Sequence, residues 1–132
     1  MVLPVTKIMR KRIATCSPRA SVLTAVKRLK EFNTSTVVIV DGQKRVLGVF
    51  SERDLVNRVV ASGKDPKRTR ITEVMTSPAL CGDISQNDIQ LANLIISQHV
   101  KKVPILKKGK LVGIVAESDL LKHLAESIFS DD

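Results

Sequence analysis

Val46-Leu47-Gly48-Val49-Phe50-Ser51-Glu52-Arg53-Asp54-Leu55 returns 65 residues later as Leu111-Val112-Gly113-Ile114-Val115-Ala116-Glu117-Ser118-Asp119-Leu120. Gly, Glu, Asp and Leu are identical at matching positions, and the apolar positions stay apolar. A second pair, Val5-Thr6-Lys7-Ile8-Met9 and Ile71-Thr72-Glu73-Val74-Met75, is offset by 66. The one-residue slip falls in a turn, where a deletion costs little. The chain is therefore two tandem copies of about 60 residues, a size that is marginal alone. The expected units are residues 1–66, carrying the N-terminal lead-in, and residues 67–132, packed on each other to complete one core.

Within the first copy, Ile13 to Cys16 reads as a short extended run ended by Ser17-Pro18. Ser21 is a helix N-cap, and Val22, Ala25, Val26, Leu29 and Phe32 follow at helical spacing up to a C-cap at Asn33. Val37 to Val40 is a β-branched run, Asp41 to Lys44 a turn, and Val46 to Phe50 a second strand. Ser51 then caps a helix carrying Leu55, Val56, Val59 and Val60 and ended by Gly63. The second copy repeats this: a helix capped by Asn87, a strand from Val103 to Leu106, a turn at Lys107 to Lys110, a strand from Leu111 to Val115 and a helix from Glu117 to Ile128. Pro104 in that strand suggests an edge or bulge position. The fold class is α/β in the α+β sense, built from two β-α-β-β-α repeats.

Composition narrows the function. The chain has 132 residues, 43% apolar and 27% charged, so a buried core is feasible. No apolar run approaches a membrane span, and Met1 to Arg12 lacks the apolar stretch of a secretory signal. Two cysteines, Cys16 and Cys81, make no disulfide framework and lie at no metal-ligand spacing, which points to a cytoplasmic, reducing setting. The net charge is +9, and the excess lies in the first half: residues 1–66 hold 13 basic and 5 acidic side chains, residues 67–132 hold 9 and 8. Such a domain attracts polyanions, although a solvated basic surface explains the charge equally well. Three Phe and no Trp or Tyr leave almost nothing on which to stack bases, so any nucleic-acid binding would be backbone electrostatics.

The repeated motif carries the chemistry. Ser51 stands where strand becomes helix, and first-turn N–H groups with a hydroxyl attract phosphate. The Asp54 carboxylate can accept two hydrogen bonds at once, which suits a ribose diol, and Arg53 offers a planar fork to phosphate oxygens. Ser51 and Asp54 are equally the two halves of a capping box. In the second copy Asp119 is kept, yet Ala116 is a poor cap, so Asp119 lacks its box partner.

The order of these elements resembles a tandem pair of cystathionine β-synthase (CBS) domains, a Bateman module, here standing alone. The resemblance covers nearly the whole chain: both lead-ins, the blocks Val37–Phe50 and Val103–Val115, and the signature Gly-x-x-[Ser/Thr]-x-x-Asp, complete in Gly48…Ser51…Asp54 and partial in Gly113…Ala116…Asp119. It implies two repeats packed sheet to sheet about a pseudo-two-fold axis, with two clefts. These clefts would take AMP, ADP, ATP or S-adenosylmethionine as regulatory ligands, with no cofactor required. By the resemblance, Asp54 and Asp119 are ribose ligands, and Ser51 and Arg53 phosphate contacts. Thr15, Cys16, Thr36 and Val37 would surround the base in the first cleft, and Leu80, Lys102, Val103 and Pro104 in the second. Because Ala116 and Ser118 replace the serine and arginine, the first cleft is expected to hold phosphate better. The module would be a homodimer and not an enzyme.

Other residues read more plainly. His99 ends a helix and His123 is expected to be solvated on the last one, neither having metal partners at ligand spacing. The segment Lys64 to Arg70 is a basic linker broken by Pro66. No nucleophile–base pair, catalytic carboxylate pair or P-loop is present in the sequence. The alternative function is a nucleic-acid-binding regulator using the basic first half and linker. A third is a protein-interaction module with an unknown partner.

Overall fold

The structure is a computed structural model that describes residues 2–129. It is of mixed α and β type, with two three-stranded sheets. The first copy supplies β1 (Thr15–Cys16), α1 (Val22–Phe32), β2 (Thr36–Val40), β3 (Val46–Ser51) and α2, which begins at Glu52–Asp54 and continues as a π-helical segment, Leu55–Val60. The second supplies β4 (Gly82–Asp83), α3 (Asp88–Gln98), β5 (Lys102–Lys107), β6 (Lys110–Ala116) and α4 (Glu117–Ile128). In each sheet the first strand runs parallel to the middle strand and the last runs antiparallel to it.

The compact units do not follow chain order. One comprises Ile13–Ala79, and the other joins the segment ending at Arg12 to the chain from Leu80 onward. The repeats expected at residues 1–66 and 67–132 exchange their lead-ins: each lead-in packs into the core of the other copy. Ile71 and Val74 are buried among Ala14, Val22, Ala25, Leu29, Val37, Ile39, Phe50 and Val59. Val5 is buried among Leu91, Ile95, Val103, Ile105, Val115 and Leu120, with Ile8 and Met9 against the same cluster.

Backbone pairing fixes this exchange. Val49 and Thr76 trade hydrogen bonds of 3.0 and 2.8 Å, and Arg10 and Ile114 trade bonds of 2.8 and 2.9 Å. The signature glycines make room for the crossing. A Cβ on Gly48 would stand 2.7 Å from Met75 Sδ and 2.8 Å from the Thr76 carbonyl oxygen. One on Gly113 would stand 2.5 Å from Met9 Sδ and 3.2 Å from the Arg10 carbonyl oxygen. The linker is also pinned, since the N–H groups of Val22 and Leu23 donate to the carbonyls of Thr69 and Pro66 at 2.9 and 3.0 Å. Those first-turn donors would otherwise lack helical partners.

Several local expectations hold. Ser21 accepts from the Thr24 N–H, Asn87 from the Gln90 N–H, and Asn33 and His99 end their helices with φ of 47° and 54°. Others are corrected. α2 turns Leu55 and Val59 to the core but leaves Val56 and Val60 exposed, each being one residue further round the helix. Pro104 lies in the middle strand of its sheet, at no edge, and the register shift comes after it, between Ile105 and Leu106. Its counterpart Val38 donates its N–H to Ala14 O at 2.9 Å. In the second copy β4 begins only at Gly82, opposite Ile105, so the β4–β5 ladder asks for no N–H from residue 104.

Candidate functional site

In the first copy the strand pairing sets Thr36 directly opposite Ser51. The Glu52 N–H donates to Ser35 O at 3.0 Å and fastens the start of α2 to the start of β2. The capping box forms: the Asp54 N–H donates to Ser51 Oγ at 3.2 Å and the Ser51 N–H to Asp54 Oδ2 at 3.0 Å. Asp54 is buried and has further donors. Thr76 Oγ1 lies 3.1 Å from Oδ1 and 3.3 Å from Oδ2, Ser51 Oγ lies 3.2 Å from Oδ2, and Arg58 Nε lies 3.5 Å from Oδ1. Arg58 also donates to Met75 O at 2.9 Å. Both carboxylate oxygens are thus engaged within the unit.

The remaining first-copy residues are distributed around this corner. Arg53 is exposed on α2. Thr15 and Cys16 pair with Val38 and Ile39, two and three residues along from Thr36. Val37 is fully buried in the core, so it has only backbone to offer a ligand. Cys16 is a core side chain as well, and burial pushes its thiol up to about 11 despite the nearby positive charge of Arg28.

The second corner has the same frame and different occupants. Lys102 pairs with Ala116, and the Glu117 N–H donates to Lys101 O at 2.7 Å. Ala116 provides no side-chain cap for α4. Asp119 Oδ1 accepts from Arg10 Nη2 at 2.6 Å, while Asp119 Oδ2 is buried and has no hydrogen-bond partner. The hydrogen bond to Asp119, then its charge, raises the Arg10 pKa and keeps the guanidinium firmly protonated. Leu80 and Lys102 are half-buried, Val103 is in the core and Pro104 is buried.

The two corners correspond position by position. Thr76 follows Met75 as Arg10 follows Met9, and each donates to the signature aspartate of its own unit. Arg58 stands four residues after Asp54 as His123 stands four after Asp119. Arg58 turns to Asp54, whereas His123 Nε2 lies 3.0 Å from Asp88 Oδ2. His123 is therefore half-buried and paired, which corrects its expected solvation. Asp88 is 2% exposed and also accepts from the N–H groups of Leu3 and Ile89, at 3.2 and 2.9 Å. Burial pushes its carboxyl upward, but these donors and His123 outweigh burial and hold it below the usual range. Arg10, Thr76, Arg58 and Asp88 were not among the candidate site residues. Extending the lead-in repeat by one residue would have found the first two, and the spacing Asp54-x-x-x-Arg58 the third.

The CBS-domain family model matches residues 5–61 and 71–126. The chain belongs to the CBS-domain family. It is 30% identical over 112 residues to the CBS domain-containing protein YhcV of Bacillus subtilis, covering 85% of this chain and 79% of YhcV. It is 29% identical over 117 residues to an uncharacterized protein of Methanopyrus kandleri, MK0525, and spans 88% of its own length but 60% of that relative's. Among solved structures it is similar to a hexameric CBS-CP12 protein from bloom-forming cyanobacteria, with a TM-score of 0.84 and 28% identity, covering all of this chain and 78% of that one. CBS pairs are generally regulatory modules. Among the described residues no helix is long and apolar enough to cross a membrane, and no group of three or more His, Cys, Asp or Glu is placed to hold a metal ion.

Proposed function

We propose that this CBS pair is a regulatory module whose ligand is an adenine nucleotide (AMP, ADP or ATP) or S-adenosylmethionine, gripped through its ribose by a signature aspartate. The observation that carries the reading is the buried, unpartnered Oδ2 of Asp119. A buried acceptor left without a donor costs about 1–3 kcal/mol, more for a charged group. A ribose hydroxyl is a donor of the right kind, and Oδ1 is already steadied by Arg10. Ser51, Arg53 and Lys102 supply candidate phosphate contacts. Thr15, Cys16, Thr36, Leu80, and the backbone of Val37, Val103 and Pro104, supply the surroundings of a base. The reading assigns regulation and no catalytic step. The relative that is described as hexameric supports self-association, for which a homodimer is the proposed form.

Calorimetric titration with AMP, ADP, ATP and S-adenosylmethionine tests the proposal, together with mass spectrometry of small molecules released from the purified protein. Saturable heat with at least one ligand, and a higher melting temperature in its presence, are expected. Absence of both for all four would contradict it.

A further inference from the structure

The two signature aspartates differ in what already holds them. We infer that Thr76 and Arg58 form a latch that closes the first-copy aspartate to a sugar, so that the chain takes one nucleotide, at Asp119, and the preference expected of the first cleft is reversed. This inference rests on the nucleotide-binding reading and adds to it the residues that choose between the sites.

Asp54 Oδ2 accepts from the Ser51 N–H and faces the hydroxyls of Ser51 and Thr76, and Oδ1 faces the Thr76 hydroxyl and Arg58 Nε. An ionised carboxylate has about four lone-pair directions, and this one has donors at both oxygens. A diol would have to displace the Thr76 hydroxyl or the Arg58 guanidinium to reach it. Displacing a donor without replacing more than was lost gives little net affinity.

At Asp119 both latch positions are filled differently. The residue equivalent to Thr76 is Arg10, whose guanidinium engages Oδ1 alone. The residue equivalent to Arg58 is His123, which is drawn away by Asp88. The cap position is Ala116, which has no hydroxyl. These three substitutions in sequence account for the one oxygen that has no partner. Asp88 has no counterpart in the first copy, where Val22 stands at the matching helix position.

The test counts binding sites by calorimetry and equilibrium dialysis with AMP, ADP, ATP and S-adenosylmethionine. Wild-type protein is expected to bind one equivalent per chain, lost in Asp119→Asn and kept in Asp54→Asn. Thr76→Val combined with Arg58→Gln is expected to bind a second equivalent, removed again by adding Asp54→Asn. Thr76→Ser, which keeps the hydroxyl, is expected to remain at one. Two equivalents in the wild type, a single site lost with Asp54 instead of Asp119, or an opened variant that folds normally by circular dichroism and still binds one, would each overturn the latch and leave nucleotide binding standing. No binding by any form would overturn both. The wild-type stoichiometry alone decides the matter if the double variant does not fold.

Discussion

Arg10, on the N-terminal lead-in, donates across 2.6 Å to Asp119, at the start of the last helix, 109 residues away in sequence. The bond ties the two ends of one unit together, because the lead-in has crossed to the second copy. Arg10 is well exposed, so solvent screens most of the attraction. Arg10→Ala is expected to lower stability by no more than about 1 kcal/mol. Urea unfolding of the variant checks this, and a loss several times larger would show that the bond holds more than one side chain in place.

The exchange of lead-ins has a regional signature. Ile71→Ala opens a cavity in the core formed by residues 13–79, and Val5→Ala opens one in the core around Leu91 and Val103. A fully buried isoleucine truncated to alanine costs about 2–5 kcal/mol. Hydrogen exchange is expected to show protection lost in α1, β2 and β3 for Ile71→Ala, and in α3, β5 and β6 for Val5→Ala. Losses in the lead-in's own copy would contradict the arrangement.

The signature glycines are expected to differ in tolerance. A methyl at Gly48 meets the Thr76 carbonyl at 2.8 Å, and backbone paired to β3 cannot retreat easily. At Gly113 the closest atom is the end of the flexible Met9 side chain, and the carbonyl is 3.2 Å away. Gly48→Ala is therefore expected to cost about 2–3 kcal/mol, the upper part of the usual overpacking range, and Gly113→Ala about 1 kcal/mol or less. Thermal melts of the two proteins rank them, and the reverse order would be inconsistent with this packing.

Acid sensitivity follows from Asp88. Its carboxyl ionises below the usual range in the folded state, so its contribution is fully present above the unfolded carboxylate value of about 4 and is lost as pH falls through the lower folded value. Removing one donor weakens that contribution. His123→Ala is expected to unfold at higher pH than the wild type in an acid titration followed by circular dichroism. An unshifted midpoint would show that the backbone donors from Leu3 and Ile89 suffice.

Much of this architecture was legible in sequence because its signals are local. Ser21 and Asn87 before apolar stripes, Asn33 and His99 after them, and the β-branched run at Val37 to Val40 each declare their own element. The crossing of the lead-ins was not legible, since Val5-x-x-Ile8-Met9 and Ile71-x-x-Val74-Met75 offer the same apolar face to either copy. The pairing of Thr76 with Val49 and of Arg10 with Ile114 distinguishes the partners. The signature aspartates were found, but not how fully Asp54 is occupied within its own unit. Its capping box forms in full, and the carboxylate is further engaged by Thr76, a residue 22 positions away. The pairing of His123 with Asp88 spans 35 positions between two helices, a distance at which no helical periodicity reports a contact.

The central claim is that a sugar hydroxyl completes the coordination of Asp119. The most direct measurement is the affinity of AMP for the wild type and for Asp119→Asn, each verified as folded. Asparagine keeps the shape but removes the charge, and hydrogen bonds to charged groups contribute about 1.5–3 kcal/mol. The expected loss is therefore roughly 10- to 100-fold. Equal affinity of the two proteins for AMP would contradict the account.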